Sequence, residues 1–151
     1  MKKTWPGRRA ITDPLVSTSL MMLLPAMVWY AADQPLQALL VAFGALASTF
    51  YHLRGEPEGL ILGVDIASAT AALVATVWAF LAAVIEHSNH SLLWLAGAMF
   101  FGMAADQCFR ASARAINDRD VFRYEIIHAI WHGIVLQGQF YLVFGVLTYS
   151  A

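Results

Sequence analysis

Apolar residues fall along this chain in five long runs separated by short polar stretches. The runs cover approximately Pro14–Ala32, Pro35–Leu53, Gly59–Ile85, Leu92–Phe109 and Val121–Leu147. Each is close to the roughly 20 residues an α-helix needs to cross a hydrocarbon core of about 30 Å. The fourth is the least clean, because its apolar stretch ends at Ala105 and Asp106 follows. Prolines stand near the starts of runs, at Pro14, Pro35 and Pro57, where a fixed φ and a missing N–H suit the first helical turn. The pattern predicts an all-α integral membrane bundle of five transmembrane helices, forming one domain over residues 1–151 with no repeat or internal boundary.

Composition agrees with that pattern. The chain is 60% hydrophobic and 13% charged, against about 25% charged in soluble domains. A net charge of −1 gives no indication of a nucleic-acid partner, and the single cysteine, Cys108, excludes an internal disulfide or a cysteine-based zinc cage. The N-terminus reads as leading into a first membrane helix rather than as a cleaved signal peptide, since Trp29 stands where a small residue would precede cleavage.

Charge distribution orients the bundle. With the N-terminus cytoplasmic and the C-terminus outside, all nine Lys and Arg residues lie inside: Lys2, Lys3, Arg8, Arg9, Arg54, Arg110, Arg114, Arg119 and Arg123. The outer connections, around Asp33 and His87–His90, have none, which is a positive-inside arrangement. The compact loops and the Met-Lys-Lys start point to a bacterial inner membrane.

Against this background a few ionisable residues sit within the spans, where they are costly and mark function by default. Ser48 and His52 share one face near the end of the second span, at i and i+4. Asp65 lies two turns into the third, and His128 and His132 form another i, i+4 pair near the start of the fifth. All belong to the cytoplasmic leaflet. Side chains lean toward a helix's N-terminus, so His52 leans into the membrane while Asp65, His128 and His132 lean back toward the cytoplasm, and the sets converge. Three neutral imidazoles with an open position suit a catalytic Zn2+ ion, with a nearby carboxylate to take a proton from water and a hydroxyl to steady an oxyanion.

Other readings attach to the same residues. Asp65 has Arg54 and Arg123 as alternative ion-pair partners, and Ser48 alone suits helix packing. Glu125 and His128 form one Glu-x-x-His, whereas a di-iron bundle needs two. Two histidines from different helices would also serve a haem. Asp106 and Arg110 read as an i, i+4 salt bridge, Gln137 and Gln139 as hydrogen-bonding partners of neighbouring helices, and His87 and His90 as solvated loop. Trp5, Trp29, Trp78, Trp94 and Trp131 fit interfacial or packing positions.

Ser-x3-His (Ser48, His52), then Asp65 in "LGVDIASA", then His-x3-His in "HAIWH" (His128, His132) resembles the signature of the CREST superfamily. That superfamily includes alkaline ceramidases, progestin and adipoQ receptors and hemolysin III-like proteins. The motifs cover three of the five helices. The resemblance implies zinc held by His52, His128 and His132, with Asp65 and Ser48 as catalytic groups around a metal-activated water. The implied reaction is hydrolysis of an amide or ester bond in a lipid-like substrate. Family members usually have seven spans, three of them between the Asp and His-x3-His helices; here there is one. Losing two keeps parity, so the site can still close, although the groove for a lipid tail loses walls that a homo-oligomer could replace. The alternative is a non-catalytic receptor or scaffold with a structural zinc, Asp65 then being a fourth ligand.

The charge pattern predicts that a reporter enzyme active only outside the cytoplasm is active when fused after Ala151 and inactive when fused after Arg54. The reverse result would reject the orientation.

Overall fold

The computed structural model describes residues 9–56, 59–86 and 91–150. Pro57, His87, His90, Trp5 and the basic residues Lys2, Lys3 and Arg8 lie outside the described residues. The described chain is all-α: α1 (Pro14–Met21), α2 (Leu23–Ala31), α3 (Pro35–Leu53), α4 (Leu60–Glu86), α5 (Ser91–Asn117) and α6 (Val121–Ser150). With α1 and α2 taken together, five spans are long and apolar enough to cross a membrane.

The first expected span is therefore not continuous. Pro25 explains why: it has no N–H to give the carbonyl of Met21, and its ring crowds that carbonyl. The ladder is interrupted at Met22, between α1 and α2. The fourth span also differs, running to Asn117 rather than Phe109. Its extra turns carry Arg110 and Arg114, and the Arg110 Nε–Asp106 Oδ2 contact of 2.8 Å is the expected i, i+4 ion pair.

Buried positions show how the helices meet. On α4 they are Ser68, Ala72, Thr76, Phe80 and Val84, one stripe at a spacing of four. On α3 they run from Ala38 through Val41, Ala45 and Thr49 to His52. These stripes face α6 and the broken first span, with Trp29 fully buried among Ala38, Val41, Phe80, Val143 and Val146. α5 packs mainly along α6. Gly97 lets the Tyr141 ring lie directly on α5, where a Cβ would overlap it, and the Tyr141 hydroxyl donates to the Leu93 carbonyl at 3.1 Å. Gly145 likewise makes room for Phe80.

One buried polar chain crosses the core. Trp29 Nε1 donates to Gln139 Oε1 at 3.1 Å, and Gln139 Nε2 donates to Thr76 Oγ1 at 3.1 Å. It joins α2, α6 and α4 and gives Gln139 the inter-helix role expected of it. The short turns keep the N-terminus of α1, the C-terminus of α3, the N-terminus of α4 and the N-terminus of α6 at one end of the bundle. Arg9, Arg54, Arg119 and Arg123 gather there, and this basic end holds the polar residues of interest.

Gln139→Leu would leave the Trp29 N–H unpaired in an apolar core. We expect a loss of about 1–2 kcal/mol, read as a lower unfolding midpoint in detergent. An unchanged midpoint would mean that the chain of hydrogen bonds contributes nothing to stability.

Candidate metal centre

The last two turns of α3 and the first three of α6 build the site. Ser48 and His52 lie one turn apart on α3, and Tyr124, His128 and His132 form a ladder at intervals of four on α6. Both helices turn these faces inward, so His52 and His132 are almost fully buried, at 1% and 3% exposure, and His128 is partly covered. The three rings meet edge to face, with centroids 5.4 Å apart for His52–His128, 5.3 Å for His52–His132 and 4.9 Å for His128–His132. One ring nitrogen from each histidine lies within 4.8 Å of the others. The convergence expected from spacing and helix direction is present.

Hydrogen bonds decide which nitrogens are available. His52 Nδ1 is 3.0 Å from Glu56 Oε1. A carboxylate only accepts, so His52 carries its hydrogen on Nδ1 and its lone pair on Nε2. His132 Nδ1 lies 3.1 Å from both Thr18 Oγ1 and Ser19 Oγ. Those hydroxyls give their own hydrogens to the backbone of α1: Thr18 to the Pro14 carbonyl at 2.6 Å, Ser19 to the Leu15 carbonyl at 2.7 Å. They are left as acceptors, so His132 also carries its hydrogen on Nδ1 and has its lone pair on Nε2. Two of the three imidazoles are thus held by outer partners in the manner that orients metal-binding histidines.

The residues fit a metal ion on a direct observation. His52 Nε2 and His128 Nδ1 are buried with no hydrogen-bond partner among the described residues, and unsatisfied buried groups of this kind are rare and call for an explanation. A tetrahedral zinc with Zn–N bonds of about 2.05 Å sets its nitrogens about 3.3 Å apart. Three buried histidines could therefore hold a metal ion.

Asp65 and Ser48 flank this cluster. The Asp65 carboxyl hydrogen-bonds with the Ser48 hydroxyl and lies near His52; among the described residues it makes no ion pair with Arg54 or Arg123, the alternatives the sequence left open. Ser48 Oγ is also 3.3 Å from Ser19 Oγ. A polar path therefore runs from Asp65 through Ser48 and Ser19 to His132. Asp65 is not among the mutually close donors. An apolar groove between α3 and α4, lined by Leu36, Ala67, Val74 and Trp78 among others, includes none of the five predicted site residues.

Several site residues were not read from the sequence. Thr18 and Ser19 are hydroxyls in an apolar run, with no spacing that sets them apart. Glu56 follows His52 by four, a spacing that could have been noticed, but Gly55 interrupts the helix between them. Arg9 was counted only as a topogenic charge. Its guanidinium is buried and reaches three carboxylates: Glu125 Oε1 at 2.8 Å, Asp13 Oδ2 at 3.1 Å and Glu56 Oε1 at 3.2 Å. Glu125 therefore serves this ion cluster. Burial pushes the Glu56 carboxyl up, but the hydrogen bond from His52, the Arg9 charge and the hydrogen bond from the Tyr124 hydroxyl outweigh it and hold the group below its ordinary range.

Searches against known protein families, curated proteins and solved structures find no match to this chain.

The geometry predicts about one divalent metal ion per chain in detergent-purified, chelator-free protein, measured by elemental mass spectrometry, and its loss in the His128→Ala/His132→Ala double variant. Metal-free wild-type protein would overturn the assignment.

Proposed function

We propose that this protein is a zinc-dependent intramembrane hydrolase acting on an amide or ester bond of a lipid-like substrate, a shortened five-helix relative of the CREST superfamily. The observation that carries the reading is the buried three-histidine cluster, with unpartnered ring nitrogens, beside a carboxylate and a hydroxyl from neighbouring helices. The resemblance of the Ser48/His52, Asp65 and His128/His132 motifs supplies the reaction class.

Zinc held by His52, His128 and His132 would supply Lewis acidity that brings water toward ionisation near neutral pH. The remaining work belongs to the chain. Asp65, partly buried and close to the cluster, takes the proton from the attacking water and returns it to the leaving amine or alcohol. Ser48 orients the Asp65 carboxylate and can turn its hydroxyl toward the oxygen of the substrate carbonyl as negative charge develops there. Burial at this depth keeps bulk water away and strengthens each of these interactions. With the N-terminus inside, the reaction takes place in the cytoplasmic leaflet.

A receptor or scaffold with a closed, structural zinc is the competing reading, with Asp65 as fourth ligand. The position of Asp65 outside the group of mutually close donors supports an open site instead.

Asp65→Asn is expected to keep its metal and lose about 100-fold or more of hydrolysis on a panel of long-chain N-acyl and acyl-ester lipids. His132→Ala is expected to lose both metal and activity. Wild-type turnover in both variants would reject the mechanism. A metal-loaded wild type inactive across the whole panel would favour the structural zinc.

A further inference from the structure

At the basic end, Glu56 stands out as a buried acid held in an unusual backbone conformation. α3 stops at Leu53, and the Gly55 N–H bonds the His52 carbonyl while the Glu56 N–H bonds the Tyr51 carbonyl, each at 3.0 Å. This reversal needs two successive residues with positive φ, Gly55 at 75° and Glu56 at 58°. Glycine adopts that region freely, but for a glutamate it is unfavourable and persists only where surrounding contacts enforce it.

Those contacts are specific. The turn folds the Glu56 side chain back over the end of α3, where only 6% of the residue is exposed. Oε1 accepts from His52 Nδ1 at 3.0 Å and lies 3.2 Å from Arg9 Nη2, while Oε2 accepts from the Tyr124 hydroxyl at 3.0 Å. An isolated carboxylate at this depth would be strongly disfavoured; here a guanidinium, a phenol and an imidazole satisfy it. Arg9 is fixed in turn by its backbone N–H, which donates to the Leu53 carbonyl at 3.2 Å, and by Glu125 and Asp13. On the far side of the His52 ring, Nε2 is buried near the other two histidines without a hydrogen-bond partner among the described residues; Arg9 Nε and Nη2, at the opposite end of the assembly, are also without one.

We propose that Glu56, clamped by Arg9 and Tyr124, is a positioning residue of the metal centre that sets its affinity for a divalent ion. It holds His52 in the tautomer with the lone pair on Nε2, fixes the ring plane, and through its negative charge makes Nε2 a better donor. The segment that carries Arg9 is then part of the centre, although none of its atoms would touch the ion. This rests on the metal-site reading above and extends it to residues that the motif resemblance does not include.

Zinc affinity of the full-length, detergent-purified chain would be measured by competition with a chelator of known affinity. Glu56→Ala is expected to weaken binding about 10- to 100-fold, with smaller losses in the same direction for Glu56→Gln and Tyr124→Phe. The visible absorption of the cobalt-substituted protein should change in Glu56→Gln, reporting an altered ligand field. A purely structural clasp would instead lower the melting temperature of the metal-free protein and leave zinc affinity and cobalt bands unchanged. Wild-type affinity and spectrum in Glu56→Gln and Tyr124→Phe, with zinc lost in His132→Ala, would overturn this inference alone. A wild type that binds no zinc would overturn it together with the metal-site reading. Should Glu56→Ala fail to fold, the two milder variants decide the outcome.

Discussion

A neutral imidazole buried in an apolar bundle has one hydrogen to donate and one lone pair to place, and the basic end is organised around that requirement. His52 gives its hydrogen to Glu56, and His132 gives its own to Thr18 and Ser19. Each partner then brings a further demand. Glu56 requires compensating donors, which brings in Arg9 and Tyr124; the α1 hydroxyls must already have spent their hydrogens on their own helix. What remains after these requirements are met is a set of ring nitrogens facing one another at the junction of α3 and α6.

The same economy of polar groups appears in the middle of the bundle with a different outcome. Trp29, Gln139 and Thr76 satisfy one another in a closed chain that ends on the Ala72 carbonyl at 2.9 Å, and no orphaned atom is left. Both assemblies are buried and both link helices distant in sequence. The central one reads as a packing element because it is complete; the histidine cluster reads as a site because it is not.

Much of this was legible in the residues themselves. Five apolar runs define the spans, and the two i, i+4 pairs with Asp65 locate the candidate centre, because helical periodicity and the cost of charge in lipid act on local sequence alone. The break at Met22 was also local, encoded by Pro25, but a proline inside a long apolar run is readily passed over in a membrane span. Thr18, Ser19, Glu56 and Arg9 were hidden for another reason. Hydroxyls in membrane helices usually bond their own backbone, and Glu56 and Arg9 lie outside the helices, in the α3–α4 connection and ahead of α1, where charge is expected. Only the tertiary approach of α1 to α6 and the reversal at Gly55 give them their partners. The extra turns of α5 past Phe109 were missed because their polar residues ended the hydropathy signal while leaving helix propensity intact.

The contact between α1 and α6 joins residues 113 and 114 positions apart in the chain, and this bears on how the protein is made. Synthesis starts from the N-terminus, so Arg9, Ser19, His52 and Glu56 leave the ribosome well before His128 and His132 exist. For most of translation the early helices carry polar groups whose partners have not yet been polymerised. They must wait at the membrane surface or in the shelter of the insertion machinery. Only arrival of α6 completes the cluster, so the centre cannot assemble before that helix is made, and a chain truncated before α6 has no means of building it.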